Sequence, residues 1–387
     1  MDTIQKGTTV LIKCAVTGKT GQLPEGFDLE AAWPRLERHH MTSLLYEGAL
    51  LCGISRDSEF MRKLFVRCVR EFRISEAQLR EQERLFSAFQ ENGIDFMPLK
   101  GSNMKSRYPR PELRSMGDAD VLIRLDQYPR IVPIMESLGF EAVLESDHEL
   151  IWKSKGLYLE LHKWVIPSYN EDFYRYFGDG WKLAKTGDGS RWSMTPEDEF
   201  VYLFTHFAKH YRDGGIGCRH VTDLWVFRRT FPGLDESYVR AELAKLELLE
   251  FYDHMVTLLN AWFEDGTMDE KTRFITEFVF SSGSWGQWES RFLSQVVRKS
   301  ERYSDKLSGK QVFLWTSLFP GVKALSQKYT VLKKAPWLLP GVWVYRIGTK
   351  VLFDRAVLKK QQQNLRAVDE EKVDTKRQML HYVGLKF

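Results

Sequence analysis

Apolar positions recur at helical spacing from about Asp28 to Asn92. In the second half of that region Met61, Phe65, Cys68, Phe72, Leu79, Phe86 and Phe89 follow one another at intervals of three, four or seven, which makes one apolar stripe. Asn92-Gly93 reads as a helix stop. Unbroken from Ser58, such a helix is about 50 Å long at ~1.5 Å per residue, so it is expected to brace more than one neighbour. The period then changes. "IDFMPLK" and "DADVLIRL" read as strands, with Gly101-Ser102 as a tight turn, "NMKSRY" as a short helix and "RPELRSMG" as loop between them. A helix is expected over Asp126 to Gly139, followed by strands at Phe140–Leu144, Leu150–Lys153 and Leu157–His162, with Lys155-Gly156 turning the last two. The stretch "KTGDGSRWSM" (185–194) reads as a linker. Thr195-Pro196-Glu197-Asp198 has the residue types of a helix start, and the chain beyond it is helical.

This pattern predicts an α+β protein in three regions: N-terminal helices over 1–92, a small mixed-sheet core over 93–190, and a C-terminal helical domain over 191–387. With 43% apolar and 28% charged residues, the chain falls in the soluble globular class. A net charge of +4 over 387 residues suits a small anionic substrate but gives no long nucleic-acid footprint. Cys14, Cys52, Cys68 and Cys218 are scattered without metal or disulfide spacing, which favours a reducing compartment. "TTVLIKCAV" is too short for a signal peptide, and no uncharged run is long enough for a transmembrane segment. The expected location is cytoplasmic.

The chemistry concentrates in the core. Asp118 and Asp120 are one residue apart, so on a strand both carboxylates face the same side while Ala119 and Val121 face away. Ionised carboxylates at that spacing repel unless a cation lies between them, and they suit hard divalent ions. In "GLYLELHK", Leu157, Leu159 and Leu161 form the buried face, which leaves Glu160 on the other face to complete a three-carboxylate cluster. His162 shares that face and reads as a cross-strand hydrogen-bonding residue. Upstream, Gly101 permits close backbone approach, and Ser102 is expected to start a helix that favours an anion.

With those residues in place, "LKGS…YPRPELRSMGDADVLI…LELH" resembles the nucleotidyltransferase superfamily related to DNA polymerase β, and within it a bacterial branch of uncharacterised nucleotidyltransferase-like proteins. The resemblance runs from "AAWPRLERHH" through the helical segment after Pro196 and weakens beyond about residue 240. Two departures from the superfamily at large, Lys100 directly before the glycine and a long Gly101–Asp118 interval, suit the bacterial branch. The resemblance implies transfer of a nucleoside monophosphate from an NTP to an acceptor hydroxyl or phosphate, with release of pyrophosphate. It implies that Asp118, Asp120 and Glu160 hold Mg2+, or Mn2+ in its place, and that Glu160 helps deprotonate the acceptor. Gly101 and Ser102 would hold the β- and γ-phosphates, with Lys100 and Arg114 as their charge partners. A small-molecule acceptor is preferred. The alternatives are an inactive nucleotide-binding or regulatory module, and nucleotidylation of a protein or RNA.

Two accounts stand for the next helices. Lys209, His210 and Asp223 line the acceptor side of a cleft, or His206 is a buried, hydrogen-bonded core histidine and Asp223 bonds a neighbouring helix. Near the C-terminus, "KKAPWLLPGVWVYRIGTKVLF" reads as a packed helical pair interrupted at Pro340-Gly341, ahead of an interfacial membrane helix. "VLKKQQQNLR" reads as a solvated helix face or tail.

Overall fold

A computed structural model describes residues 1–264, 266–283, 288–303, 309–326, 329–353 and 370–387. "VLKKQQQNLR" lies outside them. Met1–His210 with Ile216–Trp285 forms one compact unit, and Tyr211–Gly215 with Gly286–Phe387 forms a second.

The first unit opens on a helix inside the region expected to be helical, although its run is rich in β-branched residues. Helix α1, Thr3–Thr17, is started by a reciprocal cap in which Asp2 and Gln5 satisfy each other's backbone donors. Leu11 and Ile12 are fully buried, so packing overrides the modest helix propensity of "TTVLIK". Helix α2 covers Leu29–Leu36 and α3 covers Thr42–Leu51. Gly48 lets α3 approach α1, because a Cβ there would sit 2.1 Å from the Leu11 carbonyl oxygen.

Helix α4, Glu59–Glu91, is one 33-residue rod capped by Ser58, whose Oγ accepts from the Met61 N–H. Its apolar stripe is not continuous. Phe65 and Phe72 are exposed, and midway along the rod the buried positions are Ser75, Gln78 and Gln82. The cause is what lies opposite. Gln78 Nε2 donates 2.8 Å to the Met116 carbonyl, and Lys105 Nζ donates 3.4 Å to Gln78 Oε1, so this part of the rod satisfies polar groups of the loop before Asp118. The last third of α4 is apolar again.

Among the described residues seven strands form one mixed sheet in the order β3-β4-β5-β2-β1-β7-β6. They are β1 Phe96–Leu99, β2 Ala119–Ile123, β3 Glu141–Glu145, β4 Glu149–Lys153, β5 Tyr158–His162, β6 Lys185–Asp188 and β7 Arg191–Ser193. The expected linker is therefore a hairpin: Asp188-Gly189 is a strong hairpin turn signal, Gly189 takes φ +56°, and β7 pairs in parallel with β1 at Phe96. One face of the sheet carries Ala119, Val121, Ile123, Leu150, Trp152, Leu159 and Leu161 against Leu85, Phe86 and Phe89 of α4. Ile131 and Met135 of helix α6 (Tyr128–Ser137) close the same core. That apolar layer commits every other strand residue, Asp120 and Glu160 included, to the opposite face.

Helix α5 spans Lys100–Met104 and α7 spans Glu171–Phe177. Helix α8, Pro196–Asp213, starts where the sequence indicated, with Thr195 Oγ1 accepting from the Asp198 N–H. Helices α9 (Cys218–Thr230), α10 (Glu236–Lys245), α11 (Leu249–Phe263) and α12 (Glu270–Ser282) follow. Arg107 pairs with Glu199 of α8 and lies over the rings of Phe227 and Phe231. Asn103 donates both to the Pro98 carbonyl and to Glu199. These contacts fix α5 against the helical layer.

In the second unit, helices α13 (Trp288–Tyr303), α14 (Gly309–Leu318) and α18 (Glu370–Tyr382) gather around Val296, Val297 and Val373, and α15 (Val322–Leu325), α16 (Val331–Lys334) and α17 (Leu339–Phe353) lie between α14 and α18 in the chain. Pro340 and Gly341 lie inside α17 and do not break it, because a first-turn residue has no intrahelical N–H bond to lose. The expected packed pair is only partly formed. Trp343 stacks edge-on against Phe319, while Trp337, Val344 and Tyr345 point into solvent. No helix among the described residues is long and apolar enough to cross a membrane.

Candidate functional site

Strands β2 and β5 are parallel neighbours, and their register sets Asp120 directly beside Glu160. Asp118 immediately precedes β2, two residues from Asp120, and its carboxyl feels the charges of Asp120 and Glu160. The three carboxylates therefore share one face of the sheet. Strand β4 runs antiparallel to β5 and places Glu149 opposite His162, so a fourth carboxylate borders the cluster.

Two basic groups enter it. Lys100 Nζ lies 2.8 Å from Asp120 Oδ1, and His162 Nε2 lies 2.8 Å from the same oxygen and 3.4 Å from Glu160 Oε2. Behind it, His162 Nδ1 is 3.1 Å from His148 Nε2. His162 is only 1% exposed. Burial by itself raises the Asp120 carboxyl, but Lys100 and His162 hold it well below the usual carboxylate range. The same contact raises the Lys100 ammonium, against the effect of its burial. Asp118 behaves oppositely: burial, then the charges of Asp120 and Glu160, push it up to about 7. Glu149 is raised too, by burial and by Glu160. The cluster holds more negative charge than its own bases neutralise.

Asp120, Glu160 and His162 each offer a ligand atom, all within 4.8 Å of one another. Carboxylate oxygens dominate that set, as a hard divalent cation requires, and the imidazole nitrogen extends the fit toward Mn2+. The raised Asp118 reflects burial first and the like charges of Asp120 and Glu160 second.

The turn from β1 into α5 faces this cluster. Lys100 adopts φ +40°, a left-handed conformation that costs a non-glycine residue roughly 1–3 kcal/mol and persists where the surroundings impose it. Helix α5 begins at Lys100, so Ser102 is not its cap; its Oγ is buried and has no hydrogen-bond partner. At Gly101 a Cβ would come within 3.1 Å of Arg114 Nη1 and 3.3 Å of Met116. Arg114 itself is committed elsewhere. Its Nε and Nη2 donate to the two carboxylate oxygens of Asp223, at 3.1 and 2.9 Å, and Tyr108 Oη donates 2.8 Å to Asp223 Oδ1.

Asp223 therefore ties the loop before Asp118 to α9, the helix-bonding role that was one of its two readings. On α8, Tyr202 is fully buried, and burial raises its hydroxyl well above the ordinary value, with Lys100 opposing the shift. His206 is driven well below its ordinary value by burial and by the charges of Lys100, His210 and Lys209. His210 Nε2 lies 3.1 Å from His206 Nε2, and Lys209 is largely buried. Lys100, Asp118, Asp120 and Glu160 are thus brought together, Gly101 and Ser102 adjoin them, and Arg114 with Asp223 forms a separate buried pair. His162 makes the cross-strand hydrogen bond that the sequence indicated, to Asp120, whereas sequence reasoning passed over His148 and Glu149. The i, i+2 spacing from Glu160 was the available signal for His162. For Glu149 only the strand register gives it.

No curated protein matches the sequence. A solution structure of the antibiotic-resistance factor ANT(2'')-Ia is similar over 46% of this chain and 98% of its own, at 14% identity and a TM-score of 0.34. The profile of a family described as uncharacterised nucleotidyltransferase matches residues 25–264, a span that runs from the start of α2 through the carboxylate cluster to the end of α11. By that match over more than half its length, the chain belongs to the uncharacterised nucleotidyltransferase family.

Proposed function

We propose that the protein transfers a nucleoside monophosphate from an NTP to an acceptor hydroxyl or phosphate and releases pyrophosphate, using Mg2+ or Mn2+. The observation that carries this reading is the register pairing of Asp120 with Glu160, with Asp118 two residues before Asp120 and under the charge of both. Folding has no use for three acids on one sheet face, and a cation resolves their repulsion. Asp118, Asp120 and Glu160 would hold the ion, with His162 within reach of two of them. When bound, it supplies charge neutralisation at the transferring phosphoryl group and activates the attacking oxygen.

The other roles fall to the chain's own groups. Ser102 Oγ, buried and unpartnered, is suited to donate to a phosphate oxygen. Gly101 leaves the backbone bare at that point, and Arg114 Nη1 lies against it. Glu160 is within reach to accept the acceptor's proton. In this division residues 93–190 carry the phosphate and metal groups, and Lys209 and His210 stand on the acceptor side. A small-molecule acceptor fits the modest charge better than RNA does.

A second reading, nucleotide binding without turnover, draws on Lys100 and His162 both touching Asp120 Oδ1, which neutralises that carboxylate without a metal. Incubation with NTPs radiolabelled at the α-phosphate, Mn2+ or Mg2+, and cell lysate separates the two. The expected result is label in an acceptor fraction, lowered about 10³-fold by Asp120→Asn. Metal-dependent NTP binding without transfer selects the second reading. Absence of any NTP binding removes both.

A further inference from the structure

The second compact unit carries a surface outside the residues that the family match covers. Between Lys306 and Phe353 there are eight lysines and arginines and no aspartate or glutamate. At the chain-wide frequency of 52 acids in 387 residues, a stretch that long holds about six. The same stretch exposes large apolar side chains: Trp315 at the end of α14, Val331 on α16, Trp337 just before α17, and Val344 and Tyr345 on α17. Trp337 is 75% exposed and Val344 74%. The elements that carry them pack against one another. The Trp315 and Phe319 rings are 4.7 Å apart, Phe319 and Trp343 are 5.2 Å apart, and Trp343 Nε1 donates 2.9 Å to the Pro320 carbonyl, which ties α17 to the end of α14. Tyr345 lies 6.3 Å from Tyr329. Lys333 and Lys334 stand exposed beside Val331.

Scattered single hydrophobics on a surface need no account, but a contiguous aromatic patch rimmed by cations does. Tryptophan and tyrosine are the side chains of the membrane–water boundary, and lysines beside them pair with anionic headgroups. We propose that this surface docks the protein peripherally on an anionic phospholipid bilayer, with Trp315, Trp337, Val344 and Tyr345 entering the headgroup layer and Lys333 and Lys334 on the lipid phosphates. Charge decides against a second copy of the chain, since two such faces would set cation against cation. Exposed Val331, Leu338 and Val344 offer nothing to a nucleic acid, which uses stacking and phosphate contacts. No membrane-spanning helix is required.

Flotation of the full chain with vesicles of equimolar phosphatidylcholine and phosphatidylglycerol tests this. The protein rises with those vesicles and stays at the bottom with phosphatidylcholine alone. Lys333→Gln with Lys334→Gln weakens binding about fivefold per lysine, and Trp337→Ser with Val344→Ser weakens it at least about tenfold. All four side chains are exposed, so circular dichroism is expected unchanged. A second readout needs no variant: brominated phosphatidylglycerol quenches part of the intact chain's tryptophan emission. Absence of flotation and quenching overturns the proposal, as does equal binding to uncharged vesicles. It also falls if Trp337→Ser with Val344→Ser leaves flotation intact, or if light scattering finds a dimer that this variant dissolves.

Discussion

Burial and two neighbouring carboxylates push the Asp118 carboxyl from 3.8 up to about 7, so the folded chain holds that proton more tightly than the unfolded chain does. Stability from this group is therefore present below pH 3.8 and lost as pH rises through 7. Asp118→Asn should raise the stability of the metal-free protein at pH 8 by about 1–2 kcal/mol, while added Mn2+ stabilises only the unaltered chain. Thermal melts with and without the ion check this, and a variant that melts lower at pH 8 would refute the reading. Ser102 gives the complementary case. Its hydroxyl has no partner to lose, so Ser102→Ala should leave stability within about 0.5 kcal/mol while raising the NTP KM about tenfold. A drop in stability with unchanged KM would make it a structural serine. At this scale the carboxylates were legible because a strand alternates faces regardless of context. For His162 the cross-strand bond was legible but its partner was not, since a histidine's partners come from other strands and one sequence does not name them.

The contact of Arg114 and Tyr108 with Asp223 joins the loop before β2 to α9, and all three side chains are buried. Removing one member of such a pair leaves a buried charge unmatched. Asp223→Ala should therefore cost about 3–5 kcal/mol, read as a shift of the urea midpoint. A loss confined to activity would return Asp223 to the acceptor side. Element boundaries followed the sequence where the signals were local, as with Ser58, Thr195 and the strands from Phe96 to His162. The hairpin over 185–193 carried its own turn signal in Asp188-Gly189, but three- and four-residue strands are too short to display alternation. The middle of α4 could not be read at all. Its buried face is polar because a loop lies opposite, and periodicity registers only apolar contact.

Several histidines are folded into the first unit uncharged. Burial, with the nearby Arg38, lowers His39 to about 4; burial, with Arg219, lowers His220 to about 3; and His206 is driven well below 6.5. In each case the unfolded chain binds the proton first. Their stabilisation is complete above pH 6.5 and disappears as pH falls toward 4, at up to about 1.4 kcal/mol per pH unit for each group. Burial lowers His40 and His148 in the same way, while Asp118, Glu149 and His162, all raised, work in the other direction but are three groups against five. The urea midpoint should fall between pH 7 and pH 5, and fall more steeply in Asp118→Asn. A flat midpoint over that range would mean these histidines are solvated.

The ammonium of Lys100, held in a left-handed turn against Asp120, also separates two events that many metalloproteins fuse. A chain that brings its own counter-ion can finish folding before any metal arrives. Chelation should then silence the chemistry and leave the architecture standing, whereas Lys100→Met should make folding itself depend on the ion.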